Sequence, residues 1–332
     1  MEGGPTVTAM TRWERVEAAL AGREVDRVPV SLWRHFPNQD QSAEALADVT
    51  LAWQSRFDFD FIKLMPPGDY ATIDWGAESE YQGAPGGTRQ TTRFPVVELD
   101  DWRRITPVAP DQGMNREVVE AARLVNERLG GEVPVLQTIF SPLTVAMKLS
   151  DGKVLAHLRE RPDVVHAALA AITEVTRGVL TASLERGAGG IFFATQCATT
   201  DLMTVEEYRE FGVRYDLPVL EAAAGSRFTL LHLHGTNIMF EELKTYPVHA
   251  LNWHDRRTLP SLAEGERASG HCVVGGIDEK GIVDMTPDAA AAQARDAIAA
   301  LSGRHVMIAP GCVIPVATPE ATIKAVVDAV RQ

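Results

Sequence analysis

Short runs of β-branched and aromatic residues alternate with longer, Ala- and Leu-rich amphipathic stretches along this chain, a pattern typical of repeated β-α units. The runs with strand composition are residues 28–33, 59–64, 133–140, 190–195, 228–234, 249–254, 272–277 and 305–309. The predicted helices cover residues 43–56, 115–129, 162–186, 204–224, 238–244, 287–301 and 319–331. Strands alternating with helices in this way predict an α/β fold, a (β/α)8 TIM barrel.

The length of the chain fits one large domain of this kind. Its 332 residues could form two average domains, but such barrels commonly exceed about 250 residues, and no low-complexity linker divides the sequence. We therefore predict a single domain over residues 1–332, with an N-terminal helix in residues 11–27. Residues 69–111 fit the alternation poorly, and the Gly- and Pro-rich run from Gly83 predicts a β-hairpin inserted near the barrel mouth, between the second and third strands.

Composition argues against two classes of partner. The net charge is −13, and no cluster of Lys and Arg offers the basic surface that nucleic-acid binding requires. The sequence shows neither a signal-peptide pattern at its start nor an apolar run near the ~18 residues of a membrane span. Three cysteines are too few for a disulfide framework and suit a reducing compartment. The expectation is a cytoplasmic protein, and an acidic barrel of this size is also compatible with a homodimer.

Two histidines, His232 and His234, end the fifth predicted strand, and Cys312 follows the eighth. Side chains at i and i+2 of a strand point to the same face, so both imidazoles can bind one ion. The C-terminal ends of barrel strands meet at one mouth, which places Cys312 there as well. Two imidazoles and a thiolate leave a fourth position of a zinc ion open for water or substrate, as in catalytic zinc sites. The alternative is a pair of hydrogen-bonded core histidines.

Other polar residues follow predicted strands and are expected at the same mouth. Gln196 and Asp255 are candidate catalytic residues, the first to orient a thiol or a metal-bound water and the second to activate a leaving oxygen. Simple hydrogen bonding within the barrel is the alternative for Gln196. The candidate substrate-binding residues are Arg34, His35, Lys63, Asn252 and His254. A structural ion pair is the alternative role of Arg34, and His254 with Asp255 could instead fix an imidazole tautomer or lie in a solvated loop.

Several short stretches carry a family resemblance. They are Arg-Val-Glu-Ala-Ala-Leu-Ala-Gly-Arg-Glu-Val-Asp-Arg-Val-Pro-Val at 15–30, Phe-Ser-Pro-Leu-Thr at 140–144, Leu-His-Leu-His-Gly at 231–235, Gly-Gly-Ile-Asp at 275–278 and Ala-Pro-Gly-Cys at 309–312. Together they resemble the uroporphyrinogen decarboxylase superfamily, which includes zinc methyltransferases acting between corrinoid proteins and thiols. The resemblance covers nearly the whole chain.

The departures from the family pattern distinguish between its branches. The decarboxylases carry an early Arg-Gln-Ala-Gly-Arg, an aspartate near the end of the second strand, a tyrosine and a late Gly-His-Gly. This chain has Ser-Leu-Trp-Arg-His-Phe at 31–36, Lys63 in the second strand and Cys312 in place of the late histidine. The corrinoid methyltransferase branch is more similar, because its zinc motif is His-x-Cys with a second Cys far downstream. His234 replaces the middle Cys, which removes one negative charge and makes the metal a stronger Lewis acid.

The resemblance implies a zinc-dependent methyltransferase that moves a methyl group between a corrinoid and a thiol or a methoxylated small molecule, zinc activating the acceptor or the leaving group. No histidine stands in an Asp-x-His-x-x-Gly pattern of corrinoid-binding modules, so the corrinoid (cobalamin) is expected on a partner protein. Two alternatives remain. A metal-free lyase acting on a small carboxylated substrate would need cations such as Arg34, Lys63, Arg256 or Arg257, and a non-catalytic binding protein would need no ligand set.

Overall fold

A curled parallel sheet of seven strands forms the centre of the computed structural model, which describes residues 9–331. The strands are β1 (Ile62–Lys63), β2 (Glu78–Glu80), β3 (Gln90–Arg93), β4 (Val135–Phe140), β5 (Gly190–Thr195), β6 (Phe228–Leu233), β7 (Ala250–Trp253), β8 (Cys272–Ile277) and β9 (Val306–Pro310). The sheet order is β1-β4-β5-β6-β7-β8-β9, and β2 pairs with β3 separately. Every residue of β4 to β9 is buried, as expected for a parallel sheet covered on both faces.

Helices separate the strands of the sheet. They are α1 (Arg12–Leu20), α2 (Ala43–Phe57), α3 (Tyr70–Ile73), α4 (Gly113–Arg128), α5 (Pro142–Leu149), α6 (Val154–Glu160), α7 (Pro162–Glu185), α8 (Val205–Tyr208), α9 (Arg214–Ala222), α10 (Phe240–Leu243), α11 (Leu262–Ser269), α12 (Pro287–Ala300) and α13 (Glu320–Ala329). Most of the predicted helices are present. The predicted helix 204–224 is interrupted by a π-helical segment, Arg209–Val213. Helices α3, α5, α6 and α11 were not predicted.

The first predicted strand, 28–33, is the main difference from the expected eight-stranded barrel. This segment lies between the two edges of the sheet, where Val30 forms one isolated parallel bridge with Ile308 of β9 and accepts a hydrogen bond from the Asp60 amide at 2.9 Å. Pro29 has no N–H to donate, and the Val30 amide donates to the Asp60 carboxylate instead of to a neighbouring strand. The backbone ladder is therefore too short to count as a strand.

The two peripheral segments differ from their predicted bounds. The N-terminal helix α1 is shorter than the predicted 11–27. It begins after a capping box formed by Thr11 and Glu14, and it ends at Leu20. In residues 69–111 the structure has α3, the antiparallel strands β2 and β3, and a 3-10 helix, Leu99–Arg104. The loop between β2 and β3 reaches the mouth of the sheet, where the Val316 amide donates to the Pro85 carbonyl at 2.8 Å.

Among the described helices, α7 is the one that is long and apolar enough to cross a membrane by length and composition. It has 24 residues, and its most apolar 18-residue window has a mean hydropathy of 1.2 and is half buried. Charged residues such as Glu174 and Arg177 interrupt it, which is why the sequence shows no continuous apolar run there. Helix α7 contacts β4 and α9, so it serves as a core helix of this fold.

The close pairing of β5 and β6 depends on a glycine. A Cβ placed on Gly190 would lie 1.8 Å from the Phe228 carbonyl oxygen, a backbone atom held in the sheet register. We expect Gly190→Ala to lower the free energy of unfolding by about 2–3 kcal/mol, because the two strands must separate to admit the methyl group. Denaturant titration measures this loss. Gly225→Ala is the control, since nothing lies within 4 Å of its added Cβ; an equal loss in both variants would contradict the packing argument.

Candidate metal centre

Four side chains that can bind a metal ion meet at the C-terminal ends of the strands. His232 is in β6, His234 follows it, His254 follows β7, and Cys312 lies two residues beyond β9. Their ligand atoms all lie within 4.8 Å of one another. The sequence predicted three of these donors at one mouth, and the structure brings those three together. It adds His254 as a fourth donor, a residue predicted to bind substrate.

The distances between the donor atoms can be compared with those around a zinc ion. His234 Nδ1 lies 3.4 Å from His232 Nε2, 3.3 Å from His254 Nε2 and 3.7 Å from Cys312 Sγ. A tetrahedral zinc ion with Zn–N bonds of about 2.0–2.1 Å and a Zn–S bond of about 2.3 Å separates two nitrogens by about 3.4 Å and a nitrogen from a sulfur by about 3.6 Å. The three distances from His234 Nδ1 therefore match those around a tetrahedral zinc ion, and all four donor atoms lie within 4.8 Å of one another.

The tautomer of His232 is set by Asn252. The Asn252 amide nitrogen donates to the Val274 and Pro310 carbonyls at 2.6 and 3.1 Å, so its oxygen must face the imidazole. His232 Nδ1 then donates to that oxygen at 2.6 Å, which leaves a lone pair on Nε2 directed at the other donors. Asn252 is fully buried behind His232, and its predicted role in substrate binding stays a prediction.

Loss of the hydrogen bond between His232 and Asn252 should weaken metal binding. We expect Asn252→Ala to lower zinc affinity by about 10–100-fold, because the His232 ring loses its orienting acceptor. Competition with a chromophoric chelator measures the affinity. Asn115→Ala is a matched control, since that asparagine is also buried but lies in α4. Unchanged affinity in Asn252→Ala would show that the ring is held by packing alone.

His254 has a similar support. Its Nδ1 lies 2.7 Å from Glu279 Oε1, a carboxylate that is 1% exposed, while its Nε2 faces His234. A carboxylate behind a histidine orients the ring and increases the donor strength of the opposite nitrogen. Glu279 was missed by the sequence analysis, although its position directly after Asp278, at the end of the seventh predicted strand, was a signal that could have identified it.

A glycine brings Cys312 close to these histidines. A Cβ on Gly311 would lie 2.8 Å from both the His254 Cα and the Trp253 carbonyl oxygen, so a larger residue could not occupy this position without moving backbone. The loop after β9 therefore passes directly against the end of β7. This close approach places a donor from the last strand beside donors from two other strands.

Burial determines the protonation of the donors. It lowers the pKa of His232 well below its usual range and lowers that of His234 to about 4. Both imidazoles are therefore neutral at pH 7, the form that binds metals. Burial also raises the pKa of the Cys312 thiol. A bound cation would favour the Cys312 thiolate instead.

Three of the four donors line a cavity of about 190 Å³. This volume is smaller than the about 300–1,000 Å³ typical of sites for drug-sized ligands. Among the residues predicted to act there, Gln196, His35 and Lys63 line the cavity, as do His232, His234 and Cys312. Lys148, at the end of α5, also lines it, and no sequence pattern had singled it out.

Four predicted site residues do not line this cavity: Asn252 and His254, described above, and Arg34 and Asp255. Arg34 packs its guanidinium on the Trp53 ring at 4.6 Å and donates to the Val316 carbonyl, so its role in the structure is packing. Asp255 accepts hydrogen bonds from the Gly276 amide at 3.1 and 3.2 Å and is 2% exposed. Burial raises the pKa of Asp255 to about 7. Its contacts join the loop after β7 to β8, and it does not line the cavity where a substrate would react.

The two lysines of the cavity, Lys63 and Lys148, contact sulfur and aromatic rings. Lys63 Nζ donates to Met65 Sδ at 2.7 Å and lies 4.4 Å from the Phe192 ring centroid. Lys148 Nζ lies 5.0 Å from the Phe140 ring centroid. Burial lowers the pKa of Lys63 to about 7 and lowers that of Lys148 as well. The cavity therefore has apolar walls and two buried amines whose charged form burial disfavours.

The fold and the metal-binding geometry define an α/β protein of the parallel, curled-sheet type with a candidate active site at the C-terminal ends of its strands. Residues 11–332 match the family model for uroporphyrinogen decarboxylase (URO-D). The chain therefore belongs to the uroporphyrinogen decarboxylase family, as its motifs predicted.

Known proteins similar to this chain include methyltransferases and decarboxylases. The methylcobamide:CoM methyltransferase MtaA of Methanosarcina barkeri is 26% identical over 333 residues, covering 95% of this chain and 96% of the relative. A uroporphyrinogen decarboxylase of Xanthomonas campestris pv. campestris is 26% identical over 314 residues, covering 84% of this chain and 85% of the relative. A solved structure of a methyltransferase from Methanosarcina mazei has a TM-score of 0.85 and 24% identity, covering 97% and 98% of the two chains. It supports the fold.

Proposed function

We propose that this protein is a zinc-dependent methyltransferase that moves a methyl group from a corrinoid, carried by a partner protein, to a small thiol. The observation that carries the proposal is the cluster of four donors within 4.8 Å of one another, two of them oriented by buried polar partners and three of them lining a cavity. The methylcobamide:CoM methyltransferases among the relatives match nearly the full length of the chain, which supports the same reaction class.

In this proposal His232, His234, His254 and Cys312 would hold the zinc, and the substrate thiol would bind either in place of one of them or as a fifth ligand. When bound, zinc supplies a cation that lowers the pKa of a substrate thiol, so that it reacts as a thiolate. Asn252 and Glu279 keep the imidazoles of His232 and His254 in the metal-binding tautomer. Gln196 lines the same cavity, which supports a role in orienting the substrate. The apolar walls, including Phe192 and Phe140, exclude water from the reacting sulfur.

The alternative reactions have less support from the geometry. Transfer from a methoxylated substrate would use the zinc or an acid such as Asp255 to activate the leaving oxygen, and because the Gly276 amide holds the Asp255 carboxylate away from the cavity, this role would fall to the zinc. A metal-free lyase would hold its substrate acids with cations, and of those predicted for it Lys63 lines the cavity while Arg34, Arg256 and Arg257 do not. The cytoplasmic location and the homodimer stay predictions.

A transfer assay tests the proposed reaction. Methylcobalamin replaces the corrinoid partner, and its loss is followed by absorbance in the presence of 2-mercaptoethanol or 2-mercaptoethanesulfonate, with the methyl thioether identified by mass spectrometry. The zinc-loaded chain should accelerate transfer at least about tenfold over the zinc-depleted chain, because a thiolate is far more nucleophilic than a thiol. Equal rates with the loaded chain, the depleted chain and buffer would contradict the proposal.

A further inference from the structure

The Phe-Ser-Pro-Leu-Thr motif at 140–144 forms the junction between β4 and α5. Ser141 caps the helix, since its hydroxyl accepts a hydrogen bond from the Thr144 amide at 3.3 Å, and Pro142 is the first helical residue. The Ser141 and Thr144 hydroxyl oxygens lie 2.7 Å apart, and both residues are fully buried. Buried hydroxyls are usually paired, so the other partners of this pair show which part of the fold it holds.

The Thr144 hydroxyl holds the main chain at Gln196. Strand β5 ends at Thr195, and the next amide, that of Gln196, donates to the Thr144 hydroxyl oxygen at 2.8 Å instead of to a carbonyl of the sheet. A buried backbone amide is costly unless it is paired, so this hydroxyl replaces the ladder partner that the end of the strand lacks. The peptide that carries Gln196 is therefore fixed to α5.

Two further contacts join the same turn to α5. The Ser141 amide donates to the Ala194 carbonyl at 2.9 Å, and Cys197 Sγ donates to the Leu143 carbonyl at 3.8 Å. Burial raises the pKa of the Cys197 thiol to about 12, so the thiol keeps the proton that it donates. The end of β5 and the first turn of α5 are thus joined on both sides of the Gln196 amide.

The Gln196 side chain extends from this turn into the site. Within residues 9–331 its carboxamide has no hydrogen-bond partner, and it lines the same cavity as His234 and Cys312. Its position is therefore set by the main chain from which it extends. Lys148, one turn after Thr144 on the same face of α5, lines the cavity as well. Helix α5 thus determines the placement of two polar side chains of the cavity.

We propose that Thr144 is a positioning residue for the methyl transfer: its hydroxyl, held by Ser141, fixes the main chain at Gln196 so that the carboxamide meets the substrate. The inference rests on the proposed function for the role of Gln196. Thr144 does not itself line the cavity, so it acts through Gln196. The motif at 140–144 then serves the site as well as the start of a helix.

A double-mutant cycle with Gln196 tests this role in the transfer assay with methylcobalamin and 2-mercaptoethanol. Thr144→Val keeps the shape of the side chain but loses the hydroxyl, and we expect it to lower kcat about tenfold or more with unchanged zinc content. Thr144→Ser restores the hydroxyl and should restore most of the rate. Gln196→Met should lower kcat at least as much, and Thr144→Val should have almost no further effect in that background. An equal loss in both backgrounds would overturn the proposal, because a general packing defect does not depend on the carboxamide.

Hydrogen exchange of the Gln196 amide provides a readout that needs no activity. The amide is protected by the Thr144 hydroxyl, so Thr144→Val should speed its exchange about tenfold or more, and Thr144→Ser should not. Thr173→Val is the matched control. Thr173 is also buried, but it lies in α7 and its hydroxyl donates to the Leu169 carbonyl at 2.7 Å, so its loss should change neither kcat nor exchange at Gln196.

The two readouts separate this inference from the proposed function. A native chain that transfers no methyl group, with faster Gln196 exchange in Thr144→Val, would refute the proposed function and support the contact between Thr144 and Gln196. A native chain that transfers methyl groups, with unchanged exchange in Thr144→Val, would overturn the positioning role alone. Should Thr144→Val not fold, Ser141→Ala decides, because it takes away the partner of the Thr144 hydroxyl. Its loss of kcat should vanish in Gln196→Met, and a loss that persists there would overturn the proposal.

Discussion

His232→Ala and Cys312→Ala are each expected to purify without zinc and to lose thiol methylation. Loss of a polar group that only orients a ligand lowers metal affinity by about 10–100-fold, so loss of a ligand itself should exceed that. Both side chains meet the other donors directly, through His234 Nδ1 at 3.4 and 3.7 Å. Metal content by mass spectrometry, on protein purified without an affinity tag, should show about one zinc per native chain and almost none in either variant.

A matched cysteine separates metal binding from general damage. Cys272 is buried at the start of β8, at the opposite end of the strands from the metal centre, so Cys272→Ala should retain zinc. A native chain without zinc, even after zinc is supplied, would refute the metal centre and favour a metal-free lyase or a binding protein. Full zinc retention in Cys312→Ala would instead remove that thiol from the ligand set.

Asp60→Asn is expected to lower the free energy of unfolding by about 3–5 kcal/mol. The Asp60 carboxylate is fully buried and accepts hydrogen bonds from Arg15 at 2.7 Å, Arg27 at 2.6 and 2.8 Å, and the Val30 amide at 2.9 Å. These contacts join α1 and the 28–33 segment to the residues before β1. An amide of the same shape cannot accept from all of these donors, and it leaves the guanidinium charges without their carboxylate.

Denaturant unfolding followed by circular dichroism measures this change. Asp58→Asn is the control, because Asp58 is 53% exposed and pairs with Arg12 and Arg331 at the surface, where such pairs contribute about 0–1 kcal/mol. Asparagine also tolerates the left-handed backbone of this position, where φ is 57°. A similar small loss for both variants would mean that the buried network does not hold the N-terminal segment to the sheet.

Much of the sheet could be predicted because its strands are continuous buried runs. The predicted runs 190–195 and 272–277 match β5 and β8 in their bounds, since a parallel strand covered on both faces must be apolar throughout. The 28–33 segment has the same composition, but its pairing depends on Pro29 and on the Asp60 carboxylate, and neither effect is visible in hydrophobic pattern. The Asp60 side chain takes the place of a backbone partner for the Val30 amide, and this contact forms only in the folded chain.

The metal donors were predictable where local periodicity decides their direction. His232 and His234 share a face because they are two residues apart at a strand end, and Cys312 follows a strand whose end lies at the same mouth. Asp255 was predicted at the site but points to Gly276, because its direction is set by the loop after β7. Lys148 was missed since it reaches the cavity from α5, a helix that the sequence did not predict.

X-ray absorption at the zinc edge tests the central claim most directly, because it reads the metal centre and thiol binding together. The zinc-loaded chain should show nitrogen ligands at about 2.0–2.1 Å and one sulfur at about 2.3 Å, and a second sulfur should enter the shell when 2-mercaptoethanesulfonate is added. Appearance of that second sulfur would place the substrate thiolate on the zinc. A shell without sulfur before addition, or one unchanged by the thiol, would contradict a zinc centre that activates a thiol for methyl transfer.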